Sequence, residues 1–222
     1  MKLLALETAN EQCSVSIVDE TQELYFQLDL RAKAQTQTIL PMIEQGLNQT
    51  AIELADLNAI AFSRGPGSFS GVRINAAVTQ ALAWANDVPV VPVSTLQALA
   101  QAAHRLHGLT EVTAVLDARM QEVYIASYQL DANGIMQAVD EEQLLSYADA
   151  TTPQIKFTVV GSGSELIQSE QTQYKDLSAT AQDIATIARE AAQRKAWVSA
   201  ELALPVYLRD NAWKKISEQG KP

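Results

Sequence analysis

The sequence predicts an α/β protein of two similar lobes, each with a mixed sheet and helices. Two observations carry this expectation. The order strand, acidic turn, strand, turn, strand, helix occurs twice along 222 residues, and the glycine-rich stretch Ser63 to Arg73 joins an apolar strand to an alanine-rich helix.

The elements follow from periodicity. Leu3 to Leu6 is a continuous apolar run, read as a buried strand, and Glu7 to Glu11 is a polar turn. Cys13 to Val18 alternates as a second strand. Glu23 to Leu30 is a third, with Leu24, Phe26, Leu28 and Leu30 on the expected apolar side. A helix is expected from Thr36 to Thr50 on the stripe Ile39, Leu40, Ile43 and Leu47. After the strand Leu57 to Phe62 and the glycine loop, a second helix runs from about Ser70 to Ala85. It has Ile74, Ala77, Val78, Ala81, Leu82 and Ala85 on one side, and Ala76, Ala83 and Trp84 make the other nearly as apolar. A helix apolar almost all round is buried on most faces, by its own fold or by a partner.

Val88 to Val93 is a strand, and Ser94-Thr95-Leu96-Gln97 is a capping box opening a helix to about His107. The second half repeats the pattern. It has strands at Thr113 to Leu116 and Glu122 to Leu130, with the turn Asp117-Ala118-Arg119 between them. The hairpin turn Asp131 to Gly134 then leads to a strand starting at Ile135. Phe157 to Val160 runs into Gly161-Ser162-Gly163-Ser164, and a helix is expected from Thr180 to Ala196. The repeat places the lobe boundary at 108. Residues 1–108 form the first lobe and 109–222 the second, with the 197–222 tail packing back onto the first.

Composition excludes several classes. The formal net charge is −10, which makes the chain a poor stand-alone binder of nucleic acid; Lys214 and Lys215 do not change that. Cys13 is the single cysteine, so no intramolecular disulfide or thiolate metal cluster forms. The apolar run at the N-terminus is too short for a signal-peptide core or a membrane span, and a cytoplasmic location is expected.

The glycine loop Ser63-Arg64-Gly65-Pro66-Gly67-Ser68-Phe69-Ser70-Gly71-Val72-Arg73 has two readings. Bare backbone beside a helix N-terminus is a site for an anion, with Gly65 and Gly67 at its centre. The same glycines also suit a structural turn, and the spacing fits neither the dinucleotide fingerprint nor the P-loop. Glu7, Thr8 and Asp117 sit at the two strand-turn-strand hairpins, where facing acids hold a metal–nucleotide complex or are ordinary turn residues. Glu7-Thr8-Ala9-Asn10 lacks a glycine to admit a phosphate closely. His104 and His107 have the i, i+3 spacing of a metal pair, but no third ligand is indicated, and surface histidines are expected; no metal site is assigned. No serine lies in a nucleophile elbow. Tyr207-Leu208-Arg209 and Trp213-Lys214-Lys215 either pack back onto their own lobe or present anchors to a partner, and packing is expected.

These segments, with Leu3 to Ala9, Pro92 to Leu96, Asp117 to Tyr124 and Pro205 to Arg209, resemble the TsaB (YeaZ) family of bacterial tRNA threonylcarbamoyladenosine biosynthesis subunits. The resemblance spans almost the whole chain. It implies the actin/hexokinase/Hsp70-like (ASKHA) fold and a non-catalytic scaffold or activator role. The partners implied are a TsaD-like catalytic paralogue and a TsaE-like ATPase. The reaction implied is threonylcarbamoyl transfer to adenosine 37 of tRNAs reading codons that begin with A. The tRNA is met only through the complex, and ATP with magnesium belongs to the complex, with no cofactor assigned to this chain.

The paralogue's His-x-x-x-His metal ligands align with Thr95 and Leu99, which cannot replace them; the old glycoprotease label fails for the same reason. One departure concerns nucleotide contacts, because Ser162 stands where an acidic or amide residue is expected. The resemblance also implies that the two helices dock the paralogue, or a second copy, through Ile39, Ile43, Leu47, Ile74, Ala77, Val78, Ala81, Leu82 and Ala85. The alternative reading is a stand-alone nucleotide-binding phosphotransferase or ATPase using the cleft between the lobes.

Overall fold

The computed structural model describes residues 1–151 and 155–209. Trp213, Lys214 and Lys215 lie outside the described residues. The first sheet contains β1 (Leu3–Glu7), β2 (Cys13–Val18), β3 (Glu23–Asp29), β4 (Ala59–Gly65) and β5 (Val90–Ser94) in the order β3-β2-β1-β4-β5. β1, β2 and β3 are antiparallel, whereas β4 runs parallel to β1 and β5 parallel to β4. The second sheet repeats this wiring. It is built from β6 (Glu111–Arg119), β7 (Glu122–Leu130), β8 (Met136–Ala138), β9 (Gln143–Ser146), β10 (Thr158–Val160) and β11 (Gln173–Tyr174). Its order is β11-β10-β6-β7-β8, with β9 pairing β7, and β10 and β11 are again parallel.

The repeat is complete in the strands and incomplete in the helices. In the first lobe α1 (Gln35–Thr50) joins β3 to β4, and α2 (Phe69–Asn86) joins β4 to β5. Where α2 stands in the first lobe, the second has a single 3-10 turn, Ser164–Leu166. Leu145, Tyr147, Ala150, Ile155 and Ile167 cover that sheet face instead.

Strand alternation assigns the two faces of the first sheet. Leu4, Leu6, Val15, Ile17, Ile60 and Phe62 face α1 and α2. Leu3, Ala5, Ala59, Ala61, Val91 and Val93 face the other way. With both faces covered, the central strands are apolar throughout. β3 differs from expectation: Tyr25 is its buried residue, and Leu28 and Leu30 are exposed. Tyr25 lies against Gly46 of α1, where only a glycine leaves room for the ring.

The second face of each sheet is covered by a helix that the boundary at 108 assigns to the other lobe. α3 (Thr95–His107) packs Leu96, Leu99, Ala100 and Ala103 onto the second sheet against Val112, Ala114 and Tyr128. α4 (Ala181–Gln193) packs Ile184, Ala185, Ile187 and Ala188 onto the first. The lobes therefore exchange helices. Arg105 of α3 joins the exchanged pair by two bonds to Asp183 of α4, Nε to Oδ1 at 2.8 Å and Nη2 to Oδ2 at 2.9 Å. Asp183 is fully buried and also accepts from the Thr180 backbone at 2.8 Å, closing the capping box of α4.

The tail runs back along the first lobe. Val198 bridges Val90, and Gln80 of α2 donates to the Glu201 carbonyl at 3.2 Å. The Val206 backbone donates to the Arg64 carbonyl at 2.8 Å. The tail then reaches the second lobe, where Arg209 pairs with Glu122.

Asp183 is the buried member of its pair with Arg105, which is exposed, so removing the carboxylate costs the α4 cap and the charge-assisted bonds and leaves the guanidinium to solvent. Asp183→Ala is expected to lower unfolding stability by about 2 kcal/mol, read as a fall in the urea midpoint with an unchanged slope. A midpoint equal to that of the parent contradicts this account of the helix exchange.

Candidate functional site: the inter-lobe cleft and the outer face of α2

The glycine loop closes the end of β4 and opens α2. Gly65 has φ +102°, and Gly161, at the end of β10 in the second lobe, has φ +104°. The two positions are repeats of one turn that β-branched or bulky residues do not adopt. At its glycines the loop meets protein backbone. A Cβ on Gly67 lies 2.5 Å from the Ala9 carbonyl oxygen, and one on Gly71 lies 2.0 Å from that of Thr8. Across this contact the Ser68 N–H donates to Ala9 O at 2.7 Å, and the Thr8 hydroxyl donates to Gly71 O at 2.7 Å. A Cβ on Gly65 lies 3.0 Å from the Val206 carbonyl oxygen.

Gly65 and Gly67 thus serve close packing, with the Ser68 N–H and the Arg64 carbonyl engaged by the first hairpin and the tail, while Gly67, Ser68, Phe69 and Ser70 also line the cleft. Glu7 and Thr8 are fully buried and do not reach the cleft. Burial pushes the Glu7 carboxyl up to about 7, against the pull of hydrogen bonds from the Ala9 N–H, the Ser63 hydroxyl and the Asn10 N–H; the charge of Asp183 adds to the rise. Asp117 does line the cleft, but Arg119 occupies it, with Nη1 2.9 Å from Oδ2.

The cleft between the lobes has a volume of about 1330 Å³ and is lined by Asn10, Ser68, Arg73, Thr95, Leu99 and Asp117 among others. Thr95 begins α3, with Ser94 capping the helix by accepting from the Gln97 N–H at 3.2 Å. Leu99 lies one turn on and packs against Gly161. Arg64 and Glu142 tie the lobes beside this floor at 3.2 Å, and Ser94 donates to the same carboxylate. His104 and His107 lie in the last turn of α3, outside the cleft lining. His104 Nδ1 is 3.1 Å from Leu109 O, and His107 packs on Tyr174. Among the described residues, no group of three or more His, Cys, Asp or Glu is placed to hold a metal ion.

α2 sorts the residues named for docking. Its inner face carries Gly71, Val72, Asn75, Ala76, Thr79 and Ala83. Ile74, Val78 and Leu82 are half-buried against the first core, and Ala77, Ala81 and Ala85 are exposed. On α1, Ile39 and Ile43 point into the core of their own lobe, so neither presents a surface; Leu47 is half-buried. The structure adds two exposed apolar side chains that the docking set missed, Leu40 at 53 % and Trp84 at 70 % exposure. Leu40 was legible as part of the α1 stripe. Trp84 was hidden because the helix is apolar on nearly every side.

The described architecture, two wired-alike mixed sheets that exchange helices around a cleft, is the actin/hexokinase/Hsp70-like arrangement. The family model of TsaD, tRNA N6-adenosine threonylcarbamoyltransferase, matches residues 29–205. The chain is 40% identical to the tRNA threonylcarbamoyladenosine biosynthesis protein TsaB of Escherichia coli (strain K12), over 97% of this chain and 98% of that protein. Its identity with the TsaB protein of Haemophilus influenzae is 35%, over 97% of each. The solved structure of YeaZ from Pseudomonas aeruginosa superimposes with a TM-score of 0.87 at 37% identity, covering 93% of this chain and 99% of that one. The chain belongs to the TsaB (YeaZ) family of tRNA threonylcarbamoyladenosine biosynthesis proteins. No helix among the described residues is long and apolar enough to cross a membrane.

A Cβ at Gly71 must push backbone against backbone. Gly71→Ala is expected to cost about 2 kcal/mol or more, measured by thermal or urea unfolding. An alanine variant as stable as the parent contradicts the close packing of loop and hairpin.

Proposed function

We propose that this chain is a non-catalytic scaffold and activator of the complex that forms N6-threonylcarbamoyladenosine at position 37 of tRNAs reading codons that begin with A. The observation that carries this reading is the outer face of α2. Ala77, Ala81 and Ala85 form an exposed small-residue stripe flanked by Trp84, with Leu40 exposed on the adjacent α1. Small side chains let a second helix approach closely, and a large exposed aromatic at the edge supplies an anchor. The docking set is accordingly Leu40, Leu47, Ala77, Ala81, Trp84 and Ala85, over a base of Ile74, Val78 and Leu82.

The catalytic, TsaD-like paralogue is the partner proposed for this face, and a second copy takes its place when the chain is alone. A TsaE-like ATPase completes the assembly, and the acidic surface leaves tRNA contacts mainly to the partners. The complex works in the cytoplasm. On the cleft floor Leu99 offers no donor atom and is packed against Gly161, which disfavours metal-assisted transfer by this chain. The stand-alone ATPase reading is disfavoured by the closed contact between glycine loop and first hairpin.

Ala81 is exposed, so a charge there leaves the fold intact. Ala81→Glu is expected to raise the dissociation constants of both the homodimer and the complex with the catalytic paralogue by about tenfold or more. Sedimentation and titration binding measure these. Unchanged association of a folded variant removes α2 from the interface.

A further inference from the structure

The inner face of α2 carries polar groups that its packing does not satisfy. Asn75 is fully buried, and its Nδ2 donates to the Leu6 carbonyl at 3.1 Å and to Ser63 O at 3.3 Å and Oγ at 2.7 Å. One side chain thus ties the helix to the ends of β1 and β4. Its Oδ1 has no partner, nor has the hydroxyl of Thr79, one turn further on. The Ser63 hydroxyl that receives Asn75 also lies against the carboxyl of Glu7, the residue after Leu6. Glu7 Oε1 accepts from the Ala9 N–H, while Oε2 is buried without a partner.

We propose that Glu7, Ser63 and Asn75 form a buried protonation switch that sets how α2 is seated on the first sheet. With Glu7 neutral, the Asn75 amide clamps the ends of β1 and β4. When Glu7 releases its proton to solvent, its bare oxygen becomes a full acceptor with no cation beside it. The Ala9 and Asn10 N–H groups and the Ser63 hydroxyl already face this carboxyl, and the further side-chain donor behind the serine is the Asn75 amide. Turning that amide towards the charge takes it from the Leu6 and Ser63 carbonyls, and the unpartnered Asn75 Oδ1 and Thr79 hydroxyl hold no second set of bonds to keep the helix in place.

The groups around Glu7 reinforce the neutral form. α4 brings Asp183, whose charge opposes ionisation and is itself held by Arg105. β2 brings Cys13, a thiol that burial pushes up to about 11. From β4 and the inner face of α2 come Ser63, Asn75 and Thr79, none of which ionises. With the folded carboxyl raised to about 7 against an ordinary value of 4.5, the closed form holds the proton through that interval and the opened form does not. Seating is therefore tightest below pH 4.5, weakens as pH rises towards 7, and is level above. The bearing of this switch on partner docking rests on the function proposed above; the titration does not, because it uses the chain alone.

The test is carboxyl-carbon NMR of the labelled full chain, with Glu7→Gln to assign the resonance, alongside the α2 backbone amides. Glu7 is expected to titrate near 7, with the amides of residues 72–79 following the same midpoint and falling silent in Glu7→Gln. Ser63→Ala is expected to keep the carboxyl titration but lose the response of the helix. In amide exchange, opening of α2 relative to Glu7→Gln at the same pH rises between pH 4.5 and 7 by up to roughly 300-fold. A Glu7 midpoint in the ordinary carboxylate range overturns the proposal. So do α2 amides that stay still while Glu7 titrates, or an exchange ratio that is flat with pH.

Discussion

The contact on which the rest of the structure depends is backbone against backbone, between the glycine loop and the first hairpin of its lobe. Gly67 and Gly71 let the carbonyls of Ala9 and Thr8 into space that any side chain would fill. Ser68 and Thr8 then fasten the contact with one hydrogen bond in each direction. The second lobe uses the same device. A Cβ on Gly161 lies 2.5 Å from the Val115 carbonyl oxygen, and the Gly163 N–H donates to that oxygen at 3.0 Å. In the first lobe the turn after the fourth strand is locked onto the hairpin turn that follows the first strand, and in the second lobe onto the first strand itself. The relation of loop to hairpin is therefore fixed before any ligand or partner arrives.

In the first lobe this lock also fixes the start of α2, because Ser68 both closes the contact and caps the helix. The helix is then held along its inner face by Asn75 and by apolar packing, which leaves Ala77, Ala81 and Ala85 outward. The second lobe has one 3-10 turn at that place, so among the described residues only the first lobe presents such a face. The proposed docking of a partner on α2 rests on this asymmetry between two otherwise matched lobes. The same closure that seats the helix brings the first hairpin against the glycine loop, backbone to backbone.

Much of this was legible in the sequence. The doubled hairpins, the glycine loop and the long alanine-rich helix are local patterns, and the strands they predict recur in the two sheets. Other features depend on packing between distant segments. The apolar stripes of α3 and α4 show that each helix is buried but not on which sheet, so the exchange between lobes left no local mark. Ile39 and Ile43 have the spacing of an interface as much as that of a core. The turn at Met120 and Gln121 takes positive φ at both residues without the Asn-Gly pair that usually announces it. β9 and β11 are too short for alternation to register. The glycine loop was the most informative segment and also the most ambiguous, because close approach to a phosphate and close approach to a carbonyl demand the same residue.

The most direct measurement is the formation of threonylcarbamoyladenosine on tRNA in a reconstituted mixture, with and without this chain. The mixture contains the catalytic paralogue, the ATPase subunit and supplied threonylcarbamoyl-adenylate. The account predicts sustained product only when the chain is present, and none from the chain alone. Equal product without it, or product from the chain by itself, contradicts the scaffold and activator reading.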